Sequence, residues 1–130
     1  MGQATLVGMQ VDDGERLIEA LDARGHKVVA ALWLRNSDTE RWELRIVLDG
    51  FDPTVDPRVC HRRIGEVFWS MKRELSFDQS DIRLVGPDNS VIEALRHSVL
   101  AQAASVSRAH LGGRQLGKEF VEDAYLYRIG

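Results

Sequence analysis

Between residues 41 and 50 the sequence RWELRIVLDG alternates with a period of two. Trp42, Leu44, Ile46 and Leu48 fall on one side, and Glu43, Arg45, Val47 and Asp49 on the other. Successive side chains of a strand point to opposite faces, so the pattern predicts a strand with one dry face. Upstream, KVVAALWLRN (27–36) is apolar on both sides. Val28, Ala30, Leu32 and Leu34 share one face; Val29, Ala31 and Trp33 share the other. A strand apolar on both faces belongs inside a sheet. The intervening NSDTE is built of turn formers, so the two strands predict a hairpin.

Helical spacing recurs three times. Leu17, Ile18 and Leu21 form a stripe behind Asp12, with Glu15 three residues on as in a capping box and Gly25 as a left-handed stop. Cys60, Ile64, Val67, Phe68, Met71 and Leu75 recur at spacings of three and four. Asp56 as cap and Pro57 in the first turn suit the start of that helix. Val91, Ile92, Leu95 and Val99 predict a third helix, capped by Asp88 or Ser90. DIRLV (81–85) reads as a short strand between the last two helices. Gly112–Gly113 predicts a tight hairpin turn. A closing strand follows from Phe120 to Ile129. It sets Val121, Asp123, Tyr125, Tyr127 and Ile129 on one face and Glu122, Ala124, Leu126 and Arg128 on the other. Residues 1–11 fit either an edge strand or a loose arm. The order predicts an α+β fold in one domain, 1–130. Its sheet is mixed and mainly antiparallel, with an N-terminal hairpin and C-terminal strands, packed by about three helices.

Composition adds bounds. The chain is 44% hydrophobic and 28% charged, which is ordinary for a globular protein. Cys60 is the single cysteine, so an internal disulfide is excluded. No apolar run approaches the roughly 20 residues that span a bilayer. The N-terminus lacks a basic start and an apolar h-region, so no signal peptide is expected and the predicted location is cytoplasmic. Net charge is −3 but uneven. Residues 57–75 carry five basic and two acidic side chains, and residues 94–118 carry four basic and none acidic. Arg58, Arg62, Arg63, Trp69, Lys72 and Arg73 are therefore candidate contacts for a nucleic acid or a protein partner.

Candidate chemistry is sparse. His26, Cys60–His61, His97 and His110 lack the paired spacing of metal ligands, so no metal site is expected. The serines lack a nucleophile motif. Gly86 lies between a strand and a helix but is a single glycine followed by Pro87 and Asp88, and the glycines of HLGGRQLGK lack that context, so no phosphate cradle and no cofactor are expected. Glu43, Arg45 and Asp49 share one strand face. Acids on a central hairpin can hold Mg²⁺ in metal-dependent nucleases. The lysine such a site needs two residues after the acid is replaced here by Arg45, which does not readily give up its proton. In the closing strand, Asp123 beside Tyr125 and Tyr127 is a further pocket candidate. Three tryptophans need burial in so small a domain, and one left exposed would mark an interface.

ALWL (31–34), WELRI (42–46) and EDAYLYR (122–128) resemble the motifs of a group of small uncharacterised bacterial proteins. These share an A-L-W-L / W-x-L-x-I hairpin and a terminal E-D-A-Y-x-Y-R. The resemblance implies a bacterial, cytosolic, single-domain protein and brings no activity with it. The expectation is a non-catalytic interaction or accessory module with a protein partner, or a homodimer. The alternatives are nucleic-acid binding through 58–73 and 96–118, and a metal-dependent nuclease-like hydrolase.

Overall fold

The computed structural model describes residues 8–36, 38, 41–97, 109–111 and 113–129. The elements run α1 (Gly8–Ala23), β1 (Val28–Asn36), β2 (Trp42–Leu48), α2 (Pro57–Met71), β3 (Ile82–Leu84), α3 (Ser90–Arg96), β4 (Ala109–Leu111), β5 (Arg114–Leu116) and β6 (Glu119–Arg128). The strands form one mixed, mostly antiparallel sheet in the order β3-β2-β1-β6-β4, with β5 also on β6. This is the predicted α+β fold. Helices cover both faces. α1 and α2 pack on the face carrying Trp33, Leu44 and Ile46, and α3 packs on the face carrying Leu32, Val47 and Leu126.

α1 begins earlier than the Asp12 cap implied. Its first core residue is Val11, which packs against the α1–α2 core and so draws the helix start back to Gly8. The expected stop is present: Gly25 has φ 83°, its N–H reaches the Asp22 carbonyl, and the His26 N–H reaches the Leu21 carbonyl. That is the two-bond geometry that lets a left-handed residue close a helix. Two other caps differ from expectation. Asp56 precedes α2 without a side-chain cap bond, leaving Pro57 to start the helix. At α3 neither Asp88 nor Ser90 is the cap; the Asn89 side chain accepts from the Val91 N–H at 3.1 Å.

Strict alternation fails at bulges, where an extra residue resets which face a side chain takes. The β1–β2 register slips between Val28 and Ala30, so Val28 joins Ala31 and Trp33 rather than Ala30. Along β6, slips after its pairing to Arg35 and to Ala31 put Val121 with Ala124 and Leu126 rather than with the tyrosines. The turn expected at Gly112–Gly113 lies partly outside the described residues, since Gly112 is not among them. β4 and β5 both run antiparallel to β6, one after the other along its edge, β4 against 124–126 and β5 against 119–121. A tight turn lies later, between Leu116 and Glu119, where Gly117 takes φ 60°. A Cβ at Gly117 would also collide with the Ser90 backbone. The hairpin tip thus leans on the start of α3.

Candidate functional site

The residues singled out from the sequence separate into three places. The first is the outer face of α2. The helix turns Ile64, Val67 and Phe68 into the core, so Arg58, Arg62, Glu66 and Trp69 run along its exposed side, and Arg73 is exposed on the short 3-10 turn that follows. Trp69 is 60% exposed, whereas Trp33 and Trp42 are buried. The Lys72 ammonium lies 4.2 Å from the Trp69 ring centre, a cation–π contact that holds the indole upright. Arg63 leaves this group. Its guanidinium sits over the Phe51 ring and against His26 Nδ1, closing the gap between α2 and the sheet. Arg58, Arg62 and Arg73 join none of the ion pairs among the described residues. The second basic block does not extend this surface where it is described. Arg96 lies on α3, on the opposite face of the sheet, held by Glu93 and the Pro87 carbonyl. Arg114 and Lys118 stand exposed on the β5–β6 hairpin, which packs against α3, while 98–108 and Gly112 lie outside the described residues.

The second place is Arg45. The sequence puts it on a wet strand face, but the structure buries it to 1% exposure. α3 and the β5–β6 hairpin cover that face, as the Val47, Val91 and Leu116 cluster shows. Arg45 Nε donates to Glu43 at 2.8 Å, and its two terminal nitrogens donate to the two oxygens of Glu119 at 2.7 and 2.8 Å. Burial disfavours the charged guanidinium, but the hydrogen bonds and charges of Glu119 and Glu43 outweigh it and push Arg45 above the ordinary arginine range. Glu119 is 74 residues from Arg45 in the chain, and no local pattern could have paired them. Arg83 approaches Glu43 at 3.9 Å. Glu43 is therefore a clamp for a cation of its own chain. Asp49 lies exposed past the end of β2, its N–H bonded to the Lys27 carbonyl. Among the described residues no group of three His, Cys, Asp or Glu is placed to hold a metal ion.

The third place is β6. Tyr125 and Tyr127 meet edge to face at 5.3 Å, and Asp123, paired with Arg35 of β1, keeps the face of Tyr125. Asp123 sits at the bulge and accepts from the Ala124 N–H. Glu122 lies 3.6 Å from Arg35 instead of Arg128, and Arg128 reaches Asp22 and the Val28 carbonyl. Tyr127 is a structural clamp. Its hydroxyl donates to the Val11 carbonyl at 2.5 Å and accepts from Trp33 Nε1 at 2.9 Å. Burial pushes its phenol far above the usual tyrosine range, and the Trp33 N–H offsets only part of this. Above about pH 10 an unfolded tyrosine loses its proton while folded Tyr127 keeps it. Stability from this group is complete below that pH and falls as pH rises further. Urea midpoints measured from pH 8 to 11 should show a steeper alkaline decline for the native protein than for Tyr127→Phe. Equal slopes would rule the clamp out as the cause.

The cavities lined by described residues include three that bear on the surface. One of 340 Å³ lies between α1 and the segment after α2, lined by Met9, Asp12, Arg16 and Arg73 among others. The other two, of 410 and 460 Å³, adjoin β3. No described helix is long and apolar enough to cross a membrane. The fold defines an α+β protein with an open sheet covered on both faces. The chain matches no family model, no curated protein and no solved structure.

Proposed function

We propose that this protein is a non-catalytic module that self-associates through the outer face of α2. One observation carries the reading: Trp69 stands exposed in a row of arginines on a helix that needs no further packing for the fold. Tryptophan and arginine are the side chains most enriched where interfaces concentrate their binding energy. The neighbouring helix supplies the complement. α1 packs beside α2 and exposes Asp12 and Glu19, with Arg16 its one outward cation. A two-fold axis lying between stacked helix layers would set α1 of one copy over α2 of the other. Acid would then face arginine twice, as an isologous interface requires. The bacterial, cytosolic setting implied by the shared motifs belongs to the same proposal.

The acids once assigned to a nuclease-like site support this non-catalytic reading, because Glu43 is engaged with Arg45. Nucleic-acid binding has weaker support, since the described basic residues occupy opposite faces of the sheet. Sedimentation equilibrium from micromolar to millimolar protein tests the proposal. The expected result is a dimer that weakens by about tenfold or more in Trp69→Ala and in Arg62→Glu. A concentration-dependent blue shift of tryptophan emission, absent in Trp69→Phe, should accompany it. A monomer at every concentration, or salt-dependent DNA or RNA binding lost in Trp69→Ala, would replace this reading.

A further inference from the structure

Among the described residues β3 ends the sheet, and none of them pairs with its outer edge. It pairs with β2 alone, in parallel. In a parallel ladder each residue turns its N–H and C=O to the same neighbour, and successive residues alternate. The Val85 N–H donates to the Ile46 carbonyl at 3.0 Å, so Arg83 and Val85 address β2. Ile82 and Leu84 therefore address the edge. The Ile82 N–H is taken by the Gln79 carbonyl. The Ile82 carbonyl and both Leu84 amide groups are left directed outward.

The surroundings match that backbone. The 410 Å³ cavity lies between α2 and β3, lined by His61, Ile64, Ile82 and Leu84 with Gln79 and Ser80. The 460 Å³ cavity shares His61, Ile82 and Leu84 and continues past Arg83 to Val85 and Gly86. α2 thus overhangs the last strand. The space beneath it is where one more strand would place its inward side chains. Charge is divided along the groove. His61 and the flanking Arg58 and Arg62 are exposed on α2, and Arg83 is 61% exposed on the strand. Asp52 and Asp88 gather at the Gly86 end, where both carboxylates approach the glycine.

We propose that the β3 edge seats an extended acidic segment of a partner protein, which adds to the sheet as a strand. The backbone groups supply the pairing, the cavity under α2 takes alternate apolar side chains, and Arg83, on the other face of the strand, takes the acids between them. A second copy suits this edge poorly. Pairing β3 with β3 about a two-fold axis normal to the sheet would bring α2 beside α2, arginine against arginine. The proposal stands apart from self-association through Trp69, because it rests on the β3 backbone and Arg83, which that face does not use, although Arg58 and Arg62 border both.

The probe is an acetylated, amidated heptapeptide of alternating Glu and Val, titrated into the isotopically labelled full chain. Amide shifts are expected at Ile82, Leu84 and Gly86, saturating by millimolar peptide. Binding is expected to weaken about tenfold in Arg83→Glu. It should be lost when the peptide is N-methylated at alternate residues in one phase and kept in the other. Trp69→Ala should bind the peptide as the native chain does. The absence of shifts, equal binding of a Lys-Val heptapeptide, indifference to both methylated peptides, or shifts confined to the Trp69 face would overturn it. So would β3 shifts that depend on protein concentration alone, since these would assign the edge to a second copy.

Discussion

Gly14→Ala should be strongly damaging for so small a substitution, costing about 3 kcal/mol or more. A Cβ at Gly14 would overlap the Tyr127 hydroxyl and meet Trp33 Nε1 at 2.9 Å. Neither group can withdraw, because the hydroxyl is tied to both Trp33 Nε1 and the Val11 carbonyl. Ordinarily glycine to alanine inside a helix stabilises by about 1 kcal/mol, so the sign itself is diagnostic. The double variant Gly14→Ala/Tyr127→Phe removes the hydroxyl that the methyl meets. Urea unfolding should show it losing less than the sum of the two single losses, by about 1 kcal/mol. Strict additivity would mean that Gly14 is small for another reason.

Arg45→Ala should cost about 3 kcal/mol. The substitution removes three hydrogen bonds and leaves Glu43 and Glu119 facing each other without their cation. Both carboxylates are about one quarter exposed, at 28% and 27%, and that residual hydration keeps the loss below what a sealed pair would show. Arg45→Lys should recover only part of it, because an ammonium cannot match the two Glu119 oxygens as the planar fork does. Neutralising the acids should do better. Arg45→Met combined with Glu43→Gln and Glu119→Gln should regain at least half of the stability in the same urea assay. If Arg45→Ala is neutral, the buried guanidinium does not hold the hairpin.

Much of the fold was legible because it rests on local pattern. The two-residue alternation of β2, the three-and-four spacing of α2 and Gly25 each report the geometry of their own segment. What escaped depends on residues distant in sequence. Whether Glu43 and Arg45 are wet is decided by α3 and by Glu119, not by β2. The partner of Trp33 is 94 residues away. Faces were misassigned at β6 because a bulge leaves no mark in a run of alternating side chains. The candidate surface divides likewise. The outward arginines and Trp69 follow from helical period alone. Arg63 was misplaced because His26 and Phe51, from other segments, bury its stem.

β6 lies in the interior of the sheet, between β1 and the β4–β5 edge, although it is the last strand in order. At about 5–20 residues per second, a ribosome would extrude β1 roughly 5–20 seconds before β6 follows it. Throughout that interval β1 has β2 on one side and an open edge on the other, and Trp33 has no tyrosine to meet. The nascent sheet is thus a two-sided apolar hairpin in search of its neighbour, a state that invites chaperone capture. Folding rate in the cell should then depend on how quickly the codons between β2 and β6 are translated.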